Sequence, residues 1–210
     1  MSPMIDRVAT DDVLPRSTDV VVIGAGIIGV AATLTLAERG IAVVLTEKGT
    51  IGGEQSSRNW GWCRQQGRDP RELPLIIESL RLWRGLNQRI EGETGFRQCG
   101  VVYLARTAAD LASHEAWLDL VKTYGVDSRL VGRPELDQLL PGSAMPYAGA
   151  LFTASDGRAE PALAVPAMVR AAQRHGAIVL ENTAARGVET HGALGCRRCV
   201  AGIAGAQRLG

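Results

Sequence analysis

A chain of 210 residues with 46% hydrophobic and 21% charged side chains is long enough to bury a core and has an ordinary globular composition, which excludes collagen, coiled coil and intrinsic disorder. Its formal net charge of +1 gives no field to recruit nucleic acid or an anionic membrane surface. Four cysteines are too few for a secreted disulfide framework, so a reducing, cytoplasmic setting is expected.

Residues 1–18 lack the basic start and apolar run of a signal peptide and are expected to form a flexible arm. Residues 20–37 carry no charged side chain and approach the ~20 residues of a bilayer span. Three early glycines, and the flanking Asp19, Glu38 and Arg39, make them a strand, turn and helix instead, so no membrane span is expected. Residues 19–23 are the β-branched run of a strand buried on both faces of a parallel sheet. Ile27, Val30, Ala31, Leu34 and Ala37 then recur at helical spacing, Gly40 closes the helix, and residues 41–45 form the next strand. The three make a right-handed βαβ unit.

Residues 48–67 form a polar loop too long for a plain connector. Asp69 and Pro70 start a helix with Glu72 at N3 and an apolar stripe of Leu73, Ile76, Ile77, Leu80 and Trp83. Residues 100–104 form a strand, Thr107 and Asp110 start a helix that ends at Gly125, and Pro134 opens a short helix. A second strand–helix–strand pass is expected from residues 150–152, 161–175 and 177–180. Residues 191–210, rich in glycine, alanine and arginine and without acids, show no period.

Gly24, Gly26 and Gly29, spaced G-x-G-x-x-G around Ile27 and Ile28 at the strand-to-helix junction, carry the first chemical signal. Gly24 permits the tight turn, Gly26 lets a pyrophosphate approach the helix N-terminal amides, and Gly29 allows close helix–strand packing. Glu47 ends the second strand, where a carboxylate accepts both ribose hydroxyls of an adenosine. This fingerprint alone does not separate FAD from NAD. His114, His175 and His191 have no triad context, and Cys196 with Cys199 lacks a second pair of metal ligands, so no metal is expected.

Glu47-Lys48, then residues 51–53, then Gln55, Ser56, Ser57, Arg58 and Asn59 with Gly61, resemble the FAD-dependent oxidoreductases of the D-amino-acid oxidase, glycine oxidase and sarcosine oxidase superfamily. Residues 71–86, 94–105 and 156–161 are similar to further segments of that family, so the resemblance spans about residues 19–188. The wording of residues 60–66 is most similar to opine oxidase and D-amino-acid dehydrogenase-like members.

The resemblance implies an α/β fold with a Rossmann-like FAD-binding βαβ domain and part of an α+β substrate domain, incomplete at the C-terminus. The expected segments are a flexible arm (1–18), the FAD-binding unit with its loop and helix (19–95), part of the substrate domain (96–145), a return to the FAD-binding domain (146–190) and an aberrant or disordered tail (191–210). Ser56, Ser57, Arg58 and Asn59 match the family's loop around the FAD phosphates and ribityl chain. The implied chemistry is oxidation of a C–N bond of an amino acid or secondary amine by hydride transfer to the flavin. An arginine commonly grips the substrate carboxylate in such sites. Arg64 is the first candidate, beside Gln65, with Trp60 and Trp62 placed either against the flavin ring or in the core.

Family-like sequence is missing after Val188, so a truncated or frameshifted product is expected. The oxidoreductase reading expects completion through a partner subunit or a homo-oligomer; the competing readings are a non-catalytic FAD-binding fragment without turnover and an NAD-binding module, which has no need of residues 56–59.

Overall fold

The computed structural model describes residues 4–187. Its elements run β1 (Val20–Ile23), α1 (Ile27–Glu38), β2 (Val43–Thr46), β3 (Trp62–Cys63), α2 (Leu73–Arg89), β4 (Arg97–Gln98), β5 (Val101–Ala105), α3 (Ala108–Val121), β6 (Ser128–Val131), α4 (Arg133–Leu139), β7 (Gly149–Thr153), β8 (Gly157–Arg158), α5 (Pro161–Arg174) and β9 (Ile178–Leu180). The described residues divide into two compact units: residues 4–60 with Asn87–Gly95 and 160–187, and Gly61–Leu86 with Phe96–Ala159. The expected boundary at 96 coincides with one in this division, whereas residues 61–86 and 146–159 group with the second unit and not with the FAD-binding segments in which they are expected.

In the first unit a parallel sheet has the order β1-β2-β9. Val20 to Ile23 pair with Val43 to Thr46, and Val44 to Thr46 pair with Ile178 to Leu180. Central β2 is buried at every position, as expected of a strand covered on both faces. Helices α1 and α5 pack together. A Cβ on Gly29 would sit 2.0 Å from the Gly24 carbonyl oxygen, so only glycine lets α1 approach its turn this closely.

The arm expected to be flexible is fastened to this unit, and the reason lies in α5. Pro166, inside that helix, has no N–H to give the Ala162 carbonyl four residues earlier. The Asp6 N–H fills that carbonyl at 3.2 Å, and the Asp6 carboxylate pairs with Arg170 at 3.0 Å. Further on, the Asp11 N–H donates to the Val179 carbonyl and the Asp11 carboxylate accepts the Val179 N–H, both at 2.8 Å. Edge strand β9 is thereby covered at its midpoint.

In the second unit, antiparallel β5-β7-β6 pairs Val101 to Ala105 with Thr153 to Gly149, and Ser128 to Val131 with Thr153 to Ala150. A smaller antiparallel sheet, β3-β8-β4, joins two-residue strands. A Cβ on its central Gly157 would lie 2.3 Å from the Arg97 carbonyl oxygen. Val131, Leu136 and Ala150 form a buried cluster beneath β7 neighbours such as Phe152. Helix α3 starts on a full capping box of Thr107 and Asp110, and Gly125 ends the following turn at φ +68°. On α2, Leu73, Leu80 and Leu86 are buried while Ile76, Ile77 and Trp83 are half-buried.

The second strand–helix–strand pass needs correction. Its first strand, β7, pairs antiparallel within the second unit, while β9 joins the parallel sheet of the first. Helix α5 therefore does not link two strands of one sheet. Among the described residues no helix is long and apolar enough to cross a membrane, and no cluster of three metal-ligating side chains exists. His191, Cys196, Cys199 and the expected tail lie outside the described residues.

Candidate functional site

The turn from β1 into α1 opens a cleft of about 570 Å³ in the first unit. Gly24 holds φ +98°, a conformation that side chains rarely adopt, and its missing Cβ faces open space. A Cβ on Gly26 would stand 3.1 Å from the Ser56 hydroxyl, so the bare backbone keeps this floor open. Gly26 is also the N-cap of α1 and offers no side-chain acceptor to the helix amides. Ser56 supplies one from across the cleft, its Oγ accepting the Ile27 N–H at 2.8 Å.

Glu47, at the end of β2, is 7% exposed. Its carboxylate accepts the Ala25 N–H at 2.8 Å on one oxygen and the Gly49 N–H at 2.9 Å on the other. Each oxygen keeps a further lone pair, so a carboxylate fixed this way presents a preformed acceptor pair for two neighbouring hydroxyls. Thr46 also lines the cleft, and its hydroxyl is buried without a hydrogen-bond partner. An orphaned buried hydroxyl costs about 1–3 kcal/mol and is a reason to expect a polar ligand beside it.

Of the residues named from sequence, Gly24, Gly26, Glu47, Lys48 and Ser56 line this cleft. Ile27 contributes its amide to Ser56, Ile28 is 81% exposed, and Gly29 serves packing. The Ser57 hydroxyl turns away to donate to the Glu54 carbonyl, and the Asn59 amide donates to the Gln55 and Ser56 carbonyls, so both shape the short helical turn that presents Ser56. Arg58 pairs with Glu54 at 3.6 Å. Gly61 lies in the second unit at φ +70° and accepts the Ala159 N–H through its carbonyl.

Thr46, Glu54, Thr183 and Arg186 also line the cleft and were not legible as site residues. Glu54 lies within 4.0 Å of Lys48 as well as near Arg58, so one acid restrains two cations at the rim. Thr183 arrives because its N–H donates to the Glu47 carbonyl at 2.8 Å, a contact made only once β9 has joined the sheet.

Trp60 belongs to the first unit and is 82% exposed. Trp62, Arg64 and Gln65 belong to the second. There the Arg64 guanidinium stands 5.4 Å from the ring centroids of both Trp62 and Tyr103. Its one hydrogen bond among the described residues runs from Nη1 to the Gln66 carbonyl. Cation–π contact with two rings therefore orients the fork while leaving Nε and Nη2 for an anionic acceptor. Gln65 is buried, and its Nε2 is committed to the Ser155 hydroxyl at 2.6 Å and to Asp127 at 3.3 Å. Asp156 is fully buried; burial raises its pKa above the ordinary carboxylate value against the opposing pull of the Gln65 and Gln66 amides. Burial likewise pushes the Cys63 thiol up to about 12.

The profile of the family described as FAD dependent oxidoreductase matches residues 19–207. Human mitochondrial sarcosine dehydrogenase is 30% identical over 181 residues, covering 83% of this chain and 19% of that protein. The sarcosine oxidase subunit beta of Rhodobacter capsulatus is 28% identical over 181 residues, covering 83% of this chain and 44% of its own length. Among solved structures, the L-amino acid deaminase of Proteus myxofaciens in complex with anthranilate superposes with a TM-score of 0.86 at 32% identity, covering 91% of this chain and 44% of that one. The chain thus spans less than half the length of these relatives. With the glycine turn, the Glu47 acceptor pair and a match over most of its length, the chain belongs to the family of FAD-dependent oxidoreductases.

Proposed function

We propose that the chain carries the FAD-binding part of an enzyme that oxidises the C–N bond of an amino acid or secondary amine. The observation that carries the reading is the cleft at the β1–α1 turn, with its open glycine floor, its fixed Glu47 carboxylate and the orphaned Thr46 hydroxyl. Glu47 would hold the adenosine ribose. The Gly24–Gly26 turn, the first amides of α1 and the Ser56 hydroxyl would hold the pyrophosphate, and Lys48 and Arg58 would offset its charge at the rim. FAD, when bound, supplies the hydride acceptor.

Arg64 is the proposed grip on the substrate carboxylate. Its rigid fork suits two-point contact, and the rings of Trp62 and Tyr103 stand beside it. The named relatives act on sarcosine or L-amino acids, which supports a small amino or N-methylamino acid as the substrate class. A partner subunit is part of the reading, since one relative is named as a subunit. We place the protein in the cytoplasm on the expectation of a reducing compartment.

The test is the visible spectrum of the purified chain, followed by release and identification of the flavin. Stoichiometric FAD supports the cleft assignment, and anaerobic bleaching by sarcosine, glycine or an L-amino acid identifies the substrate. FAD without bleaching favours a non-catalytic FAD-binding fragment, and a chain that binds NAD in place of FAD overturns the reading.

A further inference from the structure

Asp156 is the one fully buried carboxylate among the described residues, and it does not line the FAD cleft. Both of its oxygens are spent on consecutive backbone amides: Oδ1 accepts the Gln65 N–H at 2.8 Å and Oδ2 the Gln66 N–H at 3.0 Å. A carboxylate bridging two successive N–H groups fixes two adjacent peptide planes about the Gln65 Cα, since each plane carries one charge-assisted bond to the same buried acid. The carbonyl of the second of these residues, Gln66, is the acceptor for Arg64 Nη1.

The surroundings hold the clamp in place. The Asp156 carbonyl accepts the Gly100 N–H at 2.9 Å, anchoring its backbone at the entry to β5. Gly157 pairs within the small β3-β8-β4 sheet, opposite Cys63 and Gln98. Asp127 accepts the Ser155 N–H at 2.9 Å, and the Ser155 hydroxyl accepts from Gln65 Nε2, so the Gln65 side chain is tied to the segment that bears Asp156. The Gln66 side chain accepts the Thr153 hydroxyl at 2.6 Å.

The geometry points to Asp156 as a positioning residue that sets the direction of the Arg64 guanidinium through the Gln65–Gln66 backbone. The inference rests on the proposed role of Arg64 as carboxylate anchor. Among the described residues the arginine has a single hydrogen bond, so beside the two rings the Gln66 carbonyl is the contact that sets its aim. That carbonyl lies one ψ rotation beyond the clamped Gln66 N–H, and the Gln66 side chain, held by the Thr153 hydroxyl, fixes the Cα about which the rotation turns.

The test is Asp156→Asn in the full chain. The amide retains one acceptor but sets an N–H donor against a backbone N–H donor, so one clamp bond is lost with little change of volume. Phenylglyoxal modification of each arginine, followed by peptide mass mapping, reads how firmly Arg64 is held without requiring bound flavin or turnover. Arg64 should react about fivefold faster in the variant, the factor that one hydrogen bond's net worth corresponds to. Arg68 on the same loop and Arg129, which stands over Phe152 and pairs with Glu135, should keep their rates. An unchanged Arg64 rate in a folded variant overturns the inference. A rise shared equally by Arg68 and Arg129 also overturns it, because that is general loosening.

If Asp156→Asn does not fold, amide hydrogen exchange of the wild-type chain decides. The Gln65 and Gln66 amides must exchange far more slowly than that of Gly67, and equal rates overturn the clamp. Calorimetric titration with anthranilate separates the underlying reading. Arg64→Ala that binds anthranilate as tightly as wild type removes the anchor role, while the Arg64 reactivity still reports on the clamp.

Discussion

The two units make their sites from different atoms. In the first, the reactive surface is backbone: the amides that open α1, the bare floor at Gly24 and Gly26, and a carboxylate whose direction is set by the Ala25 and Gly49 amides. In the second, the candidate is side chain: a guanidinium beside two rings, with a buried acid proposed to position it. The contrast teaches that a backbone site fails through added atoms, since any Cβ occupies the space the ligand needs. A side-chain site fails through lost direction, since its groups persist but no longer point.

The largest effect expected from that contrast is at Gly29. An alanine methyl would sit 2.0 Å from the Gly24 carbonyl, which is backbone and cannot step aside. Gly29→Ala should destabilise the first unit by about 3 kcal/mol or more, the upper range for overpacking, and urea unfolding measures it. Destabilisation below about 1 kcal/mol would mean that α1 shifts freely against β1.

Gly26→Val comes next and attacks binding more than folding. Its Cβ meets the Ser56 hydroxyl at 3.1 Å, a contact a side chain can partly relieve, but the branched methyls fill the floor of the cleft. FAD affinity should fall at least about a hundredfold, more than 2.7 kcal/mol, while the circular dichroism spectrum stays that of wild type. Retained affinity would remove the pyrophosphate from this turn.

Glu47→Gln tests the acceptor pair. The amide offers one oxygen where two were used, leaving either the Ala25 or the Gly49 N–H facing a donor. A charge-assisted bond is worth about 1.5–3 kcal/mol, so FAD affinity should drop roughly ten- to hundredfold by flavin fluorescence titration. A variant that binds FAD normally would show that Glu47 is only a strut for the two loops.

The same contrast explains what was legible. The first unit's strand, turn and helix were written in adjacent residues: a β-branched run, glycines at fixed spacing, then a period of 3.6. Glu47 was found because its place follows from the end of β2. Thr183 and Arg186 were not, because they reach the cleft through the β2–β9 pairing, which joins positions more than 130 residues apart and leaves no local mark. The anchoring of the arm is unmarked for the same reason: one anchor is a carbonyl orphaned by Pro166, and neither Asp6 nor Asp11 announces its partner. In the second unit, two-residue strands such as β3 and β8 are too short to show alternation, and the four residues of β6 carry no mark of their own. Arg64 was named from resemblance, but its two rings and the Asp156 clamp depend on contacts across the sheet.

The thiols provide a milder probe of the second unit. Burial pushes the Cys63 thiol up to about 12, whereas Cys99 is exposed. At pH 8 a disulfide reagent should label Cys99 and spare Cys63 in the folded chain, since the thiolate is the reacting form. Mapping of the labelled peptides measures this, and prompt labelling of Cys63 would mean that β3 detaches from β8 in solution.

The smallest expected effect concerns the tie between Glu38, at the end of α1, and Arg89. The Arg89 guanidinium bonded to Glu38 holds that carboxyl below the ordinary value of 4.5. A carboxyl whose pKa is lower folded than unfolded binds its proton more readily in the unfolded chain. Its contribution is therefore complete above pH 4.5 and disappears as pH falls through the folded value. The pair is largely solvated, so the contribution should stay under about 1 kcal/mol and shrink in salt. Arg89→Met should fall slightly below wild-type stability at pH 6, and the deficit should shrink on acidification, as read from urea midpoints at pH 6 and at an acidic pH. A deficit of equal size at both pH values would show that Arg89 acts through the packing of its aliphatic stem, because only the charge pairing depends on Glu38 losing its proton.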